Sequence, residues 1–243
     1  MEGSTVLDLA VLRHPDSLAW LSLGLDGVGI GLLVLYHLYL ARLYRRDPER
    51  TYRGRSNRLR RAWVAMVRVR GADILAVQTM RNWVMSATLL ASTSILIGLG
   101  AGNLAFTGSD LGALARDLSP LPGLGGALIR LKVLALAGIF FAAFHHFALA
   151  LRYYNHTGFM INLPDREFLG DPVETVAETL NRAGGHYHKG TRIFLLALPF
   201  ALWLIGSVWL LGGVALTLVV LKGFDFRQSR EPGECEIDRQ IGP

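Results

Sequence analysis

"IFLLALPFALWLIGSVWLLGGVALTLVVL", residues 193–221, is a run of 29 residues without a charged side chain. A helix needs about 20 predominantly apolar residues to cross a lipid bilayer. At 1.5 Å per residue, this run would extend about 43 Å as a helix, which exceeds a hydrocarbon core of about 30 Å. We therefore predict one transmembrane helix that tilts or bends, with Pro199 as the place of the bend.

Three further apolar stretches of spanning length precede this one, at residues 20–43, 83–106 and 133–151. Charged residues make up only 18% of the chain, whereas they make up about 25% of a typical soluble domain. The predicted fold is all-α, an integral membrane bundle of four transmembrane helices within residues 20–222, with two cytoplasmic amphipathic helices between them.

Positive charge is concentrated in two of the segments that connect these stretches. Twelve arginines lie between Arg42 and Arg81, and five lysines and arginines lie between Arg152 and Arg192. The positive-inside rule predicts that both segments are cytoplasmic. We expect the plasma (inner) membrane of a bacterium or archaeon.

An even number of spans places the two ends of the chain on the same side of the membrane. Residues 1–19 form an N-terminal lead and residues 223–243 an acidic C-terminal tail, and both are predicted to be extracytoplasmic. The single cysteine, Cys235, lies in this tail, so no disulfide can form within the chain.

The basic segment, residues 42–70, contains an amphipathic pattern. Apolar residues recur at three-to-four spacing over residues 59–69, and Gly71 interrupts the pattern. This spacing predicts a helix that lies on the membrane surface. The lipid bilayer is the predicted partner, and anionic head groups attract such arginines at about 1 kcal/mol each. Nucleic acid is not a predicted partner, because no aromatic platform or binding motif accompanies the charge.

The second amphipathic helix is predicted after residue 170. Asp171 and Pro172 are typical of an N-cap and a first helical residue, and apolar side chains follow on one face. Gly184 and Gly185 are predicted to end this helix.

Small residues recur at three- or four-residue spacing within the first two spans. They are Gly27 and Gly31, and then Ala87, Ala91, Ser94 and Gly98. In lipid such residues let helix backbones approach closely. We predict packing within one chain, with a homo-oligomer or an unknown membrane partner as the alternative.

One acidic residue, Asp26, lies within the first span, and Arg130 and Lys132 precede the third. A charge inside a membrane is costly unless it is paired. The predicted role of Asp26 is an intramembrane ion pair with one of these bases, and a substrate or proton site is the alternative.

Three histidines, His37, His145 and His146, are predicted in the cytoplasmic half of the first and third spans. Adjacent residues on a helix diverge by about 100°, so His145 and His146 cannot point at one ligand. Hydrogen-bonded packing is the favoured interpretation. A proton pathway, or haem or metal ligation, is the alternative, and these residues are only weak candidates for cofactor binding. No cofactor and no metal site are predicted.

The sequence contains no recognisable enzyme motif, such as G-x-S-x-G, HExxH, a phosphate-binding loop or CxxC. We therefore predict a protein that is not an enzyme. Its predicted structural centre is a polar interface cluster, in which side chains hydrogen-bond near the cytoplasmic surface. The members of this cluster are Gln78, Arg81, Asn82, Arg152, Asn155, His156 and Arg192.

Several motifs carry a resemblance to a known family. They are Gln78-Thr79-Met80-Arg81-Asn82 and Ala91-Ser92-Thr93 in the second span, Tyr36-His37, "LRYYNHTGFMIN" and "HYHKGTRIFLLALP". With these motifs the chain resembles the membrane family of domain of unknown function 599 over about residues 19–224. The resemblance implies an integral, all-helical membrane protein with about four spans. It implies no activity and carries over no catalytic residue.

The predicted function is that of a multi-pass membrane scaffold or assembly partner. A small oligomeric transporter or channel that uses Asp26, His37 and His145 is the first alternative. A haem- or metal-binding redox subunit is the second.

Overall fold

The computed structural model describes residues 15–47, 51–107 and 126–226, and within these ranges the chain contains no β-strand. It forms six α-helices and one short 3-10 helix. The α-helices are α1 (Pro15–Arg46), α2 (Tyr52–Arg70), α3 (Asp73–Thr107), α4 (Gly126–Met160), α5 (Pro172–Ile205) and α6 (Ser207–Phe226), and the 3-10 helix is Asp165–Glu167. Most of the predicted N-terminal lead (1–14) and of the predicted acidic tail (227–243) lies outside the described residues.

Helix α2 has a capping interaction at each end. The Thr51 hydroxyl accepts a hydrogen bond from Gly54 N at 3.3 Å, which satisfies one of the free N–H groups of the first turn. Gly71 ends the helix with φ +59°, a left-handed conformation that favours glycine. The predicted interruption at Gly71 is therefore confirmed, and α3 begins two residues later.

Helix α5 begins where the sequence predicts but does not end there. The Asp171 carboxylate accepts a hydrogen bond from Val173 N at 2.9 Å, and Pro172 is the first helical residue. The predicted end at Gly184 and Gly185 is wrong, because α5 continues to Ile205. Both glycines are buried, so packing offsets their low helix propensity. The second predicted amphipathic helix is the first half of α5.

The predicted single span over residues 193–221 is also wrong. Helix α5 passes through Pro199 and ends at Ile205, and α6 begins at Ser207. Between them Gly206 has an extended backbone, with φ 168° and ψ 168°. Its N–H donates to Leu202 O at 3.3 Å, and its carbonyl accepts from Leu210 N at 3.1 Å. The backbone is therefore hydrogen-bonded on both sides of the break.

Helices α5 and α6 form a tightly packed antiparallel hairpin. A Cβ atom added at Gly213 would lie 2.8 Å from Pro199 Cα and 2.9 Å from Leu202 Cδ1. Only glycine fits such an approach. Pro199 is thus part of the contact between the two arms of the hairpin, and the reversal of the chain lies at Gly206.

Small residues also form the contact between α3 and α4. Ala87, Ala91, Ser94 and Gly98 are buried, and a Cβ added at Gly98 would lie 3.3 Å from Phe140 Cβ. This is the packing within one chain that their spacing predicts. Gly27 and Gly31 of α1 differ, because no atom of the described chain lies within 4 Å of a Cβ added at either.

Five of the described helices are long and apolar enough to cross a membrane, one more than the sequence predicted. These segments are Trp20–Arg46, Asp73–Thr107, Leu128–Met160, Pro172–Ile205 and Ser207–Asp225. The additional one arises because the long C-terminal stretch is divided at Gly206. The chain is accordingly a multi-pass helical membrane protein.

An apolar core joins four helices at the end of the bundle that carries the basic residues. Val64 and Val67 of α2 are buried with Val176 and Leu180 of α5, and Tyr154 of α4 belongs to the same cluster. At about 1.5–3 kcal/mol per fully buried aliphatic side chain, these contacts hold α2 against α5. The arginines of α2 are thereby positioned beside the α5–α6 hairpin.

Candidate functional site

A buried ion pair joins the two arms of the α5–α6 hairpin. Arg192 Nη1 donates to Asp225 Oδ1 and Oδ2 at 2.8 and 2.9 Å, and the two side chains are only 10% and 4% exposed. Tyr36 of α1 donates its hydroxyl proton to Asp225 Oδ2 at 2.6 Å. Three helices are therefore connected through one carboxylate.

This ion pair disagrees with the predicted separation of its two residues. Arg192 was predicted at the cytoplasmic side and Asp225 in an outer tail. The contact puts both residues at the same end of the hairpin, because the chain reverses at Gly206. The end of α6 therefore lies at the same end of the helix bundle as Arg192 and Arg60 of α2.

Arg60 of α2 packs directly against the α5 backbone. A Cβ atom added at Gly184 would overlap the Arg60 guanidinium, so the absence of a side chain there makes room for it. Arg60 Nη1 donates to the side-chain oxygens of Asn57 and Asn181 at 3.0 and 3.4 Å. No acidic residue of the described ranges forms an ion pair with Arg60. Burial lowers the pKa of the Arg60 guanidinium, which nevertheless remains charged at neutral pH.

A second arginine of α2, Arg53, lies beside the neighbouring glycine. A Cβ added at Gly185 would lie 3.4 Å from Arg53 Nη2. The Arg53 guanidinium also lies over the Tyr44 ring, 4.6 Å from its centroid, which is a cation–π contact. The Gly184–Gly185 pair of α5 is thus covered by two guanidinium groups.

A cavity of about 770 Å³ lies among α2, α5 and α6. One part of its wall is polar and the other is apolar. The polar wall is formed by Tyr52, Arg60, His188, Thr191, Arg192 and Asp225. The apolar wall is formed by Leu195, Val219, Val220, Leu221 and Phe224, together with the aromatic ring of Tyr187.

The polarity of this cavity changes along the hairpin. Leu195 follows Arg192 by one turn on α5, and Leu221 precedes Asp225 by one turn on the antiparallel α6. Both apolar residues therefore lie on the membrane side of the ion pair. The cavity has a charged end at the basic side of the protein and an apolar end that extends into the spanning part of the hairpin.

Charge at the polar end is not balanced within the described chain. Arg60 and Arg192 line the cavity, and Asp225 is the one carboxylate that the described residues contribute to its wall. Arg192 Nη2 is buried and has no hydrogen-bond partner among the described residues. A buried donor without a partner is uncommon and costs about 1–3 kcal/mol. Two guanidinium groups and one carboxylate of the described chain therefore share the polar end of the cavity.

Comparison with protein families gives one match. The family described as "Protein of unknown function, DUF599" matches over residues 25–230. The chain belongs to the DUF599 family. Membership confirms the resemblance that the motifs of the second span indicate. Comparison with curated proteins and with solved structures gives no match.

In this DUF599 protein the predicted polar interface cluster is not brought together. Gln78, Arg81 and Asn82 are exposed on α3, and Arg152, Asn155 and His156 are exposed on α4. No hydrogen bond or ion pair between any two of these six occurs in the described part of the chain. These six residues lie on helix faces that point away from the α3–α4 contact. On those faces water and lipid head groups can solvate them. Arg192 alone of the predicted cluster is buried.

Asp26 is buried and interacts electrostatically with its predicted partner Lys132, but the Lys132 ammonium group makes its direct contacts elsewhere. Lys132 Nζ donates to Trp203 O at 3.1 Å and lies 4.7 Å from the centroid of the Trp203 ring. Arg130 is exposed. Within the residues that the structure describes, neither base forms an ion pair with Asp26, and Asp26 Oδ1 has no hydrogen-bond partner.

The three predicted histidines differ in their contacts, and the rings of the neighbouring His145 and His146 lie 5.8 Å apart between centroids. His37 Nδ1 donates to Leu33 O of its own helix at 2.8 Å. His146 Nδ1 lies 3.0 Å from His186 Nδ1 of α5, whereas His145 is exposed on α4. Over the described ranges, no group of three or more His, Cys, Asp or Glu residues could hold a metal ion.

Sequence reasoning missed most residues of the cavity. Arg60 is one of twelve arginines in a basic run, and His188 belongs to an H-x-H pair that is typical of an exposed loop. Asp225 is one of several acids near the C-terminus. The usable signal is the Gly184–Gly185 pair, because two glycines within a helix indicate a close approach by a neighbouring group.

Proposed function

We propose that this DUF599 protein is a non-enzymatic, multi-pass membrane protein that binds an anionic ligand in the cavity among α2, α5 and α6. One observation carries the proposal. Arg60 and Arg192 line the same cavity, whose wall includes one carboxylate, Asp225, from the described residues.

The electrostatics of the cavity support an anionic ligand. Asp225 receives both hydrogen bonds of Arg192 Nη1 and one from Tyr36, so it balances the charge of Arg192. Among the described residues, the hydrogen bonds of Arg60 go only to neutral amide oxygens. A cation that is partly removed from water is stabilised most by a charge-assisted hydrogen bond to an anion. Guanidinium groups form such bonds to phosphate and carboxylate in bidentate geometry.

We also propose an orientation in the membrane. The basic segments are cytoplasmic by the positive-inside rule, and the end of α6 lies on their side. With five spans, the N-terminus is extracytoplasmic and the C-terminus cytoplasmic. The anion site then lies at the cytoplasmic surface of the membrane.

A binding measurement with matched variants tests the proposed function. The purified protein in non-ionic detergent is titrated with inorganic phosphate and, separately, with short-chain phosphatidylglycerol. We expect saturable binding of at least one of them, weakened at least about tenfold in Arg60→Gln because a charge-assisted hydrogen bond is lost.

Arg70→Gln is the matched control, because Arg70 is exposed at the end of the same helix. It removes the same charge from α2 and should leave the dissociation constant unchanged. Equal weakening of anion binding in the two variants would mean that binding depends on the net charge of α2 and not on a contact with Arg60. The absence of saturable binding of either anion would refute the proposal.

The role of assembly partner, the transporter and the redox subunit stay predictions. The transporter alternative needs a polar route through Asp26, His37 and His145. That route receives little support, because α1 packs mainly against α6, whereas His145 is exposed on α4.

A further inference from the structure

We infer that the ligand of the cavity is an anionic phospholipid, which enters sideways from the leaflet at the basic end of the bundle. This inference rests on the proposed function and names the ligand class. The phosphate would be bound by Arg60 and Arg192, and an acyl chain would lie along the apolar wall.

The size of the cavity is the first reason. A volume of about 770 Å³ lies within the range of about 300–1,000 Å³ that holds ligands of drug size. Inorganic phosphate occupies only a small part of such a space. A lipid head group with the first part of its acyl chains fills it better.

The apolar wall is the second reason. Val219 and Phe224 line the cavity and are 70% and 63% exposed, so they lie at its open side. Exposed apolar side chains on a spanning helix face hydrocarbon. The cavity is therefore open toward the acyl chains of the bilayer, and a hydrated free anion would leave this wall without an apolar partner.

The charges at the polar end are the third reason. Arg60, Arg192 and Asp225 sum to one positive charge, which matches the single negative charge of a phosphodiester. Arg192 Nη2 lacks a partner among the described residues, and Tyr52 and Thr191 line the same wall. A zwitterionic lipid would bring an ammonium group toward two arginines, so we expect selection for an anionic head group.

Native mass spectrometry of the whole protein released from nanodiscs tests this inference. The nanodiscs contain phosphatidylcholine with a minor fraction of phosphatidylglycerol. We expect one phosphatidylglycerol molecule to remain bound per chain, with retention reduced about tenfold in Arg60→Gln and unchanged in Arg70→Gln.

A second pair of variants tests the apolar wall. Leu195→Trp fills the apolar part of the cavity, whereas Leu198→Trp adds the same ring at a position of α5 that is 44% exposed and does not line the cavity. We expect Leu195→Trp to lose the bound lipid and Leu198→Trp to keep it. Because the polar end is unchanged, any binding of inorganic phosphate should survive in both variants.

Different results would refute the proposed anion binding and the inference that the ligand is a lipid. If inorganic phosphate binds in an Arg60-dependent manner but phosphatidylglycerol is not retained over phosphatidylcholine, the lipid inference is wrong and the proposed function stands. If neither anion binds in an Arg60-dependent manner, both are wrong.

Discussion

The contacts of Asp225 determine how buried charge is paired at the end of the bundle that carries the basic residues. Its carboxylate binds Arg192 and accepts a hydrogen bond from Tyr36, so residues of α1, α5 and α6 depend on one another. Arg192 was predicted to be part of a polar centre from its position next to a span. Its partner could not be predicted, because Asp225 is distant in sequence and the reversal that brings it close was not foreseen.

Removal of the Asp225 charge should destabilise the protein strongly. Asp225→Asn leaves Arg192 buried without a counter-charge, and we expect the free energy of unfolding to fall by about 3–5 kcal/mol. Tyr36→Phe keeps the ion pair and loses one hydrogen bond to a charged group, so a fall of about 1.5–3 kcal/mol is expected. Unfolding of the purified protein in detergent measures both.

A double variant distinguishes the effect of an uncompensated buried charge from a general loss of structure. Replacement of both Arg192 and Asp225 by Leu removes the uncompensated charge, and most of the stability should return. A loss in Asp225→Asn no greater than that in Tyr36→Phe would show that the ion pair is not buried as described.

Among the elements, those with polar sequence signals were predictable and the α5–α6 hairpin was not. Gly71 and Asp171 act as the predicted caps through a conformation or a side chain that is a local property of the sequence, whereas the Thr51 cap of α2 was not predicted. Gly206 is one of several glycines in an apolar run. Apart from Ser207, the reversal at Gly206 is surrounded by apolar residues, so the cluster of polar residues that marks turns in soluble proteins is missing.

The close packing of α5 against α6 predicts opposite effects on stability when two adjacent glycines are replaced by alanine. In Gly213→Ala the new methyl group would lie 2.8 Å from Pro199 Cα, and the two helices must separate. We expect a loss of about 1–3 kcal/mol in the free energy of unfolding. In Gly212→Ala the added Cβ has no described atom within 4 Å, and the higher helix propensity of alanine should raise stability by up to about 1 kcal/mol.

Gly212→Ala and Gly213→Ala are matched variants, because the two positions are adjacent in the same helix. Both are measured under identical detergent conditions. Thermal unfolding gives the order of stability directly. Equal melting temperatures for Gly212→Ala and Gly213→Ala would contradict the tight α5–α6 contact.

For the whole molecule, the sequence predicted a helical membrane bundle and membership of the DUF599 family, and both are shown. The described chain has five helices that are long and apolar enough to cross a membrane, one more than was predicted. In the orientation proposed above, this difference places the C-terminus on the opposite side of the membrane, and the reversal at Gly206 brings residues of α6 to the cavity among α2, α5 and α6. Hydropathy detects apolar length, but a run of 29 apolar residues is compatible with one tilted helix or two short ones.

The side of the C-terminus tests this topology most directly, and Cys235 is a natural probe because it is the only cysteine of the chain. Spheroplasts that express the protein are treated with a membrane-impermeant maleimide before and after permeabilisation. We predict that Cys235 reacts only after permeabilisation. In a Cys235→Ser background, Ser4→Cys should react in intact spheroplasts and so show that the reagent has access. Reaction of Cys235 in intact spheroplasts would contradict the five-span hairpin topology, since that result requires the C-terminus to be outside.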